Sequence, residues 1–147
     1  HASGRKQLTK DVQIDYGQDW VRRHKGAIQA AYGNAPFYEH FEPFIQQIFA
    51  KKSKYLVDLN IHYFMFLTKV LGKTIPHSLT DTFALDVVDS KWNQIQAKES
   101  WEERSNYKVT PYRQCFGDHF EPNLSVLDLV MNHGNESYDI LMQSLNK

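Results

Sequence analysis

Residues 120–137 read F-E-P-N-L-S-V-L-D-L-V-M-N-H-G-N-E-S, and this stretch decides the fold of the C-terminal part of the chain. Pro122 ends whatever element precedes it, and Ser125 is a suitable N-cap residue. Gly134 suits the position just after a helix C-terminus. The residues between are largely apolar: Val126, Leu127, Leu129 and Val130. The stretch therefore predicts a short buried helix between two polar ends.

Polar side chains flank this apolar helix. They are Asn123, Ser125, Asp128, Asn132 and Glu136. Asp128 and Asn132 are four positions apart, so on a helix they share one face. That face is either a polar site on a rigid element or a set of groups that satisfy the helix itself, through a cap, the helix dipole and the last turn. The residues alone leave both interpretations open.

Three further helices are predicted upstream. Gln18 to Tyr32 has apolar residues at helical spacing and predicts an amphipathic helix, with Trp20 and His24 on its buried face. Asn34-Ala35-Pro36 is typical of a helix start, and Pro43 is expected to break or kink the helix that follows. Ser53 is the predicted cap of a third helix from Lys54 to Leu71. A last helix is expected to follow residues 135–137.

Short strands are predicted between these helices. Val12 to Ile14 alternates weakly, Thr74 to Thr80 has the composition of an edge strand, and Tyr107 to Phe116 favours an extended chain. We therefore predict a mainly α fold with a few short strands, of α+β class, with about five or six helices. No linker or repeat interrupts residues 1–147, so we expect one compact domain.

Composition limits the possible functions. The chain has 147 residues, 41% of them apolar and 14% aromatic, which suffices for a domain with its own core. Seventeen basic and seventeen acidic residues cancel, so no overall charge favours nucleic acid. No apolar run approaches the roughly 20 residues of a membrane span. The single cysteine, Cys115, excludes an intrachain disulfide and suits a cytoplasmic location.

Several familiar site motifs are missing from the sequence. The histidines show no H-x-x-x-H, H-E-x-x-H or Cys/His spacing, so we predict no metal site. Glycine-rich nucleotide loops and the serine-hydrolase elbow G-x-S-x-G are also absent. The sequence names no cofactor. What remains is a set of acid/base and hydrogen-bonding residues.

Four stretches, in this order, resemble motifs of the WbqC-like family. Residues 20–32 read W-x-x-x-H-x-x-x-I-x-x-x-Y, and residues 55–60 read Y-L-V-D-L-N. Residues 112–116 read Y-x-Q-x-F, and residues 120–137 contain F-x-P-N-L-S-V-L-D-L and N-x-G-x-E-S. The family comprises bacterial proteins associated with O-antigen and other surface-polysaccharide loci. Its members usually carry strand-rich segments before the tryptophan-containing helix, so the resemblance implies that such residues are missing here.

The resemblance implies a transferase that forms an amide between glycine or another acyl group and an amino sugar, which makes a nucleotide-linked amino sugar the expected partner. Such a reaction needs a base and donors for an oxyanion. We predict His24 and Asp128 as catalytic residues. The helix from Trp20 to Tyr32 is expected to lie against the segment from Asn123 to Asn132, with His24 within side-chain reach of Ser125, Asp128 or Asn132. The predicted binding residues are Tyr32, Asn123, Ser125, Asn132 and Glu136. The alternative is a non-catalytic sugar-binding or assembly protein of the same locus.

Overall fold

The computed structural model describes residues 7–80, 82 and 108–145, and this part of the chain is helical. The helices are α1 (Trp20–Tyr32), α2 (Tyr38–Ala50), α3 (Leu56–Val70), α4 (Val126–His133) and α5 (Ser137–Gln143). Two short 3-10 turns, Thr9–Asp11 and Gly134–Glu136, lie before α1 and between α4 and α5. No helix in the described residues combines the length and apolar character that crossing a bilayer requires. The predicted single domain over residues 1–147 stays a prediction.

The core lies where α2, α3 and α4 meet. Its most buried side chains are Phe41, Ile45, Ile48 and Phe49 of α2, Leu59, Phe66 and Val70 of α3, and Val130 and Met131 of α4. On α2 these residues recur at intervals of three and four, which places them along one stripe of the helix. The Phe41 and Phe66 rings meet edge to face with centroids 5.9 Å apart. The aromatic density of α2 is therefore core packing.

α2 runs through Pro43 without a break. Proline lacks the N–H that would bond the carbonyl four residues earlier, so a single backbone hydrogen bond is lost. Pro43 is exposed, where water can satisfy that carbonyl. The predicted break after Glu42 is therefore wrong.

The predicted helix from Gln18 to Tyr32 is confirmed as α1, but it is packed less deeply than its pattern suggested. None of its residues is buried, and His24 is exposed. Trp20 is half-buried and makes the main contact with the core, edge to face with Phe49 at 5.9 Å. An apolar stripe gives the side of the helix that faces the core, and it does not give the depth of burial.

The predicted α+β class is wrong, because the described residues contain no sheet. Gln13 and Tyr55 form an isolated antiparallel bridge, flanked by hydrogen bonds from Ile14 N to Lys54 O and from Leu56 N to Val12 O, both 2.9 Å. The pairing stops there because Leu56 begins α3. Residues 74–80 are exposed and without regular structure, and residues 108–116 are extended without forming a strand. These segments have strand-like composition, but no second strand lies beside them among the residues that the structure describes.

A tight corner joins α4 to α5. Gly134 has φ +54° and ψ −124°, a conformation that L side chains rarely adopt. A Cβ at this position would lie 2.6 Å from Cε1 of Phe37. Ser137 is fully buried, and its hydroxyl donates to the carbonyl of Leu129 at 3.2 Å. The corner therefore holds the C-terminal end of α4 against the loop before α2.

Candidate functional site

A cavity of about 690 Å³ lies between the loop before α2, the extended segment after residue 108 and the C-terminal end of α4. Its walls combine amide, imidazole and aromatic side chains. The lining residues are Asn34, Pro36, Tyr112, Arg113, Gln114, Cys115, Phe116, Gly117, Asp118, His119, Phe120, Asn132 and His133. Since the predicted residue Asn132 lies in this wall, we treat the cavity as the candidate site.

Asp128 does not line the cavity but is hydrogen-bonded to residues that do, and so holds the cavity wall in place. Its side chain is fully buried, and one carboxylate oxygen accepts hydrogen bonds from the Tyr112 hydroxyl at 2.7 Å and from Gln114 Nε2 at 3.0 Å. The other oxygen faces Asn132 Nδ2 at 3.3 Å, and the same amide donates to the Asp128 backbone carbonyl at 2.8 Å. A buried carboxylate is costly unless donors surround it. These donors fix the extended segment to α4.

Gln114 also fixes the loop of residues 115–120, which lines the cavity. Its amide oxygen accepts from Glu121 N at 2.8 Å, and its amide nitrogen donates to Glu121 O at 3.0 Å. Side chains two apart on an extended chain point the same way, so Tyr112 and Gln114 reach Asp128 together. The loop between Gln114 and Glu121 is thus tied at both ends to the base of α4.

Two acidic groups near Asp128, the Cys115 thiol and the Tyr32 hydroxyl, have raised pKa values. Burial is the largest cause that raises the pKa of the Cys115 thiol, and the negative charge of Asp128 is the second. A hydrogen bond with the backbone of Cys115 lowers this pKa by less. The thiol donates to the carbonyl of Ala31 at 3.4 Å. Burial, followed by the charges of Asp128 and Cys115, raises the pKa of Tyr32. Both groups are therefore protonated at neutral pH, and Cys115 is not an activated nucleophile.

His133 is held at the end of α4. Its Nε2 lies 3.0 Å from the carbonyl oxygen of Arg113, and its ring meets the Tyr112 ring edge to face at 5.5 Å. Its Nδ1 lies 3.9 Å from a carboxylate oxygen of Glu136. The ring is therefore held from two sides while it forms part of the cavity wall.

The structure brings three of the predicted site residues together. Asn132 lines the cavity, and Asp128 lies behind its wall in contact with Asn132. The charge of Asp128 acts on Tyr32, whose ring lies 6.4 Å from that of the lining residue Phe116. Asn132 is buried and reaches the cavity from α4. The proximity of Asp128 and Asn132 was predicted from their spacing on α4, and the binding roles stay predictions.

His24 lies elsewhere. Its Nδ1 is hydrogen-bonded to the carbonyl of Trp20 in its own helix at 2.8 Å. It lines a separate, mostly apolar groove of about 580 Å³, together with Trp20, Phe49, Tyr63 and Leu127. No hydrogen bond or ion pair between described residues joins His24 to Ser125, Asp128 or Asn132, so the predicted contact is wrong. A catalytic role for His24 stays a prediction without this support.

The other three predicted binding residues are all exposed. Asn123 has φ +56°, which asparagine tolerates better than most residues, and so forms the turn before α4. Ser125 is the N-cap of α4 and accepts from Leu127 N at 3.2 Å. Glu136 lies outside the cavity wall, beside His133. The predicted cap is confirmed, and binding roles for all three stay predictions.

Asn132 is the one lining residue that was predicted as a site residue, and Tyr112, Gln114 and His133 are among those that were not. Tyr112 and Gln114 belong to the Y-x-Q-x-F stretch, whose period of two was a usable signal for side chains that face one partner. That the partner is Asp128 was not visible, because 14 or more positions separate them. His133 carries no such signal. In the described residues no group of three or more His, Cys, Asp or Glu side chains is placed to hold a metal ion.

Comparison with known protein families matches the chain to one family. Its model matches residues 1–107 and 89–140 and is described as the WbqC-like protein family. The two matches together extend over nearly the whole chain and include the extended segment, α4 and Asp128. Comparisons with curated proteins and with solved structures gave no match. The chain belongs to the WbqC-like protein family.

Proposed function

We propose that this protein acts in the biosynthesis of a bacterial surface polysaccharide such as O-antigen, as a transferase that forms an amide between glycine or another acyl group and an amino sugar. Membership of the WbqC-like family suggests an association with polysaccharide loci. The acceptor is a small molecule, a nucleotide-linked amino sugar. The proposal includes a cytoplasmic location, which the single cysteine suits.

The cavity at the end of α4 is the observation that carries the proposal. Its volume of about 690 Å³ falls within the range of about 300–1,000 Å³ that small-molecule sites occupy. Asn34 and Asn132 offer amide groups of the kind that bind sugar hydroxyls, and Phe116 and Phe120 offer apolar ring surface. Arg113 and His119 are exposed and lie in the same wall, where they are suited to the phosphates of a nucleotide.

The hydrogen bonds behind the wall support a rigid site. Asn132 uses its amide nitrogen on Asp128, so its amide oxygen is the group available to accept from an amine or hydroxyl. Tyr112 is held by Asp128 on one side and by its contact with His133 on the other. Groups whose positions are fixed before the substrate arrives need little reorganisation when it binds.

A second candidate function is a non-catalytic sugar-binding or assembly protein of the same locus. It is favoured by the state of the reactive groups: Asp128 is fully engaged by neutral donors, and the Cys115 pKa is raised. Both groups fit a structural role. A binding protein would use the same cavity and transfer nothing.

An activity assay separates the two. The full-length protein is incubated with UDP- or dTDP-linked amino sugars and with activated glycine or other activated acyl donors, and products are read by mass spectrometry. The transferase proposal expects a new species heavier by the acyl group, dependent on both substrates. Saturable, stoichiometric binding of a nucleotide-linked amino sugar without any product across the panel would favour the binding protein instead.

A further inference from the structure

The hydrogen bond at Nε2 of His133 fixes the tautomer of this ring. Its partner, 3.0 Å away, is the backbone carbonyl oxygen of Arg113, which can only accept a hydrogen bond. Nε2 must therefore carry a hydrogen. In the neutral imidazole the other nitrogen, Nδ1, then holds a lone pair and no hydrogen.

The position of the ring is as restricted as its tautomer. The His133 side chain is 20% exposed, and its ring and that of Tyr112 meet edge to face at an interplanar angle of 89°. Tyr112 is itself held by Asp128 at 2.7 Å. In the described residues no hydrogen bond reaches Nδ1. This nitrogen is thus the available proton acceptor of a ring that forms part of the cavity wall.

Two features of the surroundings bear on Nδ1, the nitrogen that would accept the proton. Glu136 places a carboxylate oxygen 3.9 Å from Nδ1, too far for a hydrogen bond but close enough for attraction between charges. His133 is also the last residue of α4, where the helix dipole favours a positive charge. Arg113 contributes its carbonyl oxygen on the opposite side of the ring.

We propose that His133 is the general base of the transfer, acting through Nδ1; this rests on the proposed function. The amine nitrogen of the amino sugar attacks the carbonyl carbon of an activated acyl ester or thioester, and a C–N bond forms. The bond from that carbon to the leaving oxygen or sulfur breaks, and the leaving group takes the electron pair. The proton released by the amine goes to Nδ1 of His133 and then to the leaving group, which restores the neutral ring.

His24 is the competing candidate for the base and supplies a matched comparison. It too is a helical histidine bonded to a backbone carbonyl, but it is exposed on α1 and lines the other groove. His24→Gln and His133→Gln make the same chemical change at the two places. Glutamine keeps an N–H donor for the Arg113 carbonyl and has no basic nitrogen. Loss of the base is therefore separated from loss of the hydrogen bond.

The first test is the tautomer. In full-length protein labelled with ¹⁵N-histidine, two-bond ¹H–¹⁵N correlation spectra at a pH where the ring is neutral are expected to show His133 with the hydrogen on Nε2. A hydrogen on Nδ1 overturns the proposal, because that nitrogen would then be unable to accept a proton.

The second test is single-turnover transfer with saturating substrates. We expect H133Q to lower the rate by about 10²- to 10⁴-fold, the usual contribution of a general base, with little change in the Kd of the nucleotide-linked amino sugar. His77→Gln is the control and is expected to keep the wild-type rate, because His77 is an exposed histidine bonded to the carbonyl of Ile75 and lies outside the cavity wall. Glu136→Gln is expected to lose about twofold to fivefold. Thermal unfolding of each variant checks that it is folded.

The outcomes separate this inference from the proposed function. Transfer by the wild type that persists in folded H133Q, or that is lost in H24Q instead, overturns the role of His133 and leaves the transferase intact. Absence of transfer by the wild type across the substrate panel overturns the transferase and the base together. Loss of transfer in H133Q alone, with binding retained, supports both.

Discussion

At the scale of single residues, Asp128 determines how the site is built. Its carboxylate is fully buried, and its partners among the described residues are neutral donors from Tyr112, Gln114 and Asn132. Two of these donors come from the extended segment and one from α4. Removing the carboxylate therefore loosens the attachment of one segment to the other, as well as removing individual hydrogen bonds.

The first prediction concerns Asp128→Asn. The amide has one acceptor oxygen, and its NH₂ group must face at least one donor that the carboxylate accepted from. We expect the free energy of unfolding in urea to fall by about 2–3 kcal/mol, since hydrogen bonds to charged groups contribute about 1.5–3 kcal/mol each. Asp139→Asn is the control: Asp139 is exposed on α5, and its loss should change stability by less than about 0.5 kcal/mol. Equal effects of the two substitutions would contradict the anchoring role.

Sequence reasoning at this scale succeeded at Ser125 and within α4, where partners are close along the chain. It failed at Ser53, the predicted cap of the third helix, because α3 begins at Leu56 with Tyr55 as its N-cap and no side-chain cap hydrogen bond. The cap by Ser125 was predictable because its partner, Leu127 N, is two residues away. The Asp128 and Asn132 pair followed from their spacing of four on a helix. The donors from the extended segment were missed because a pattern along the chain does not say which distant groups meet. The contact proposed for His24 was wrong for the same reason.

At the scale of elements, the corner after α4 is constrained both in its backbone conformation and in its packing. Gly134 lies at φ +54° and faces the ring of Phe37, while Phe37 N donates to Met131 O at 3.0 Å. The loop before α2, which carries part of the cavity wall, is thus held against the end of α4. The site depends on a glycine that does not itself line the cavity.

The second prediction is that Gly134→Ala destabilises the protein. The new methyl group would lie 2.6–2.8 Å from three ring carbons of Phe37, and the positive φ adds backbone strain of about 1–2 kcal/mol. We expect a loss of more than about 1 kcal/mol in urea unfolding. Gly26→Ala is the matched control: nothing lies within 4 Å of a Cβ there, so alanine should stabilise α1 by about 0.5–1 kcal/mol. Two changes of the same sign would refute this account of Gly134.

The helices were predictable as elements, and the strands were not. Apolar spacing identified α1, α2, α3 and α4 because a helix completes its backbone hydrogen bonds within one segment. A strand needs a neighbour, and the composition of residues 74–80 or 108–116 says nothing about whether one lies beside it. Where a neighbour exists, between Gln13 and Tyr55, the start of α3 limits the pairing to a single bridge.

At the scale of the whole molecule, several acids have pKa values above their ordinary ones. Burial raises the pKa of Tyr63, on α3, from 10.0 to about 12. Burial also leads the causes that raise the pKa values of Tyr32, Tyr38 and Cys115. In each case the folded state disfavours the charged form, so the unfolded chain releases these protons at a lower pH than the folded protein does.

The third prediction is that the protein loses stability in alkali, and that Tyr63 contributes part of this loss. Below pH 10 the Tyr63 hydroxyl is protonated in both states, so its contribution is fully present. Between pH 10 and about 12 the unfolded state ionises first, and the free energy of unfolding falls as pH rises. Tyr63→Phe removes this group while keeping the ring that packs edge to face on Phe49 at 5.8 Å. The free energy of unfolding, measured in urea from pH 8 to 11.5, should therefore fall less steeply above pH 10 in the variant than in the wild type. Parallel curves for variant and wild type would show that Tyr63 ionises alike in the two states, and that the groove around it does not exclude water from the phenol.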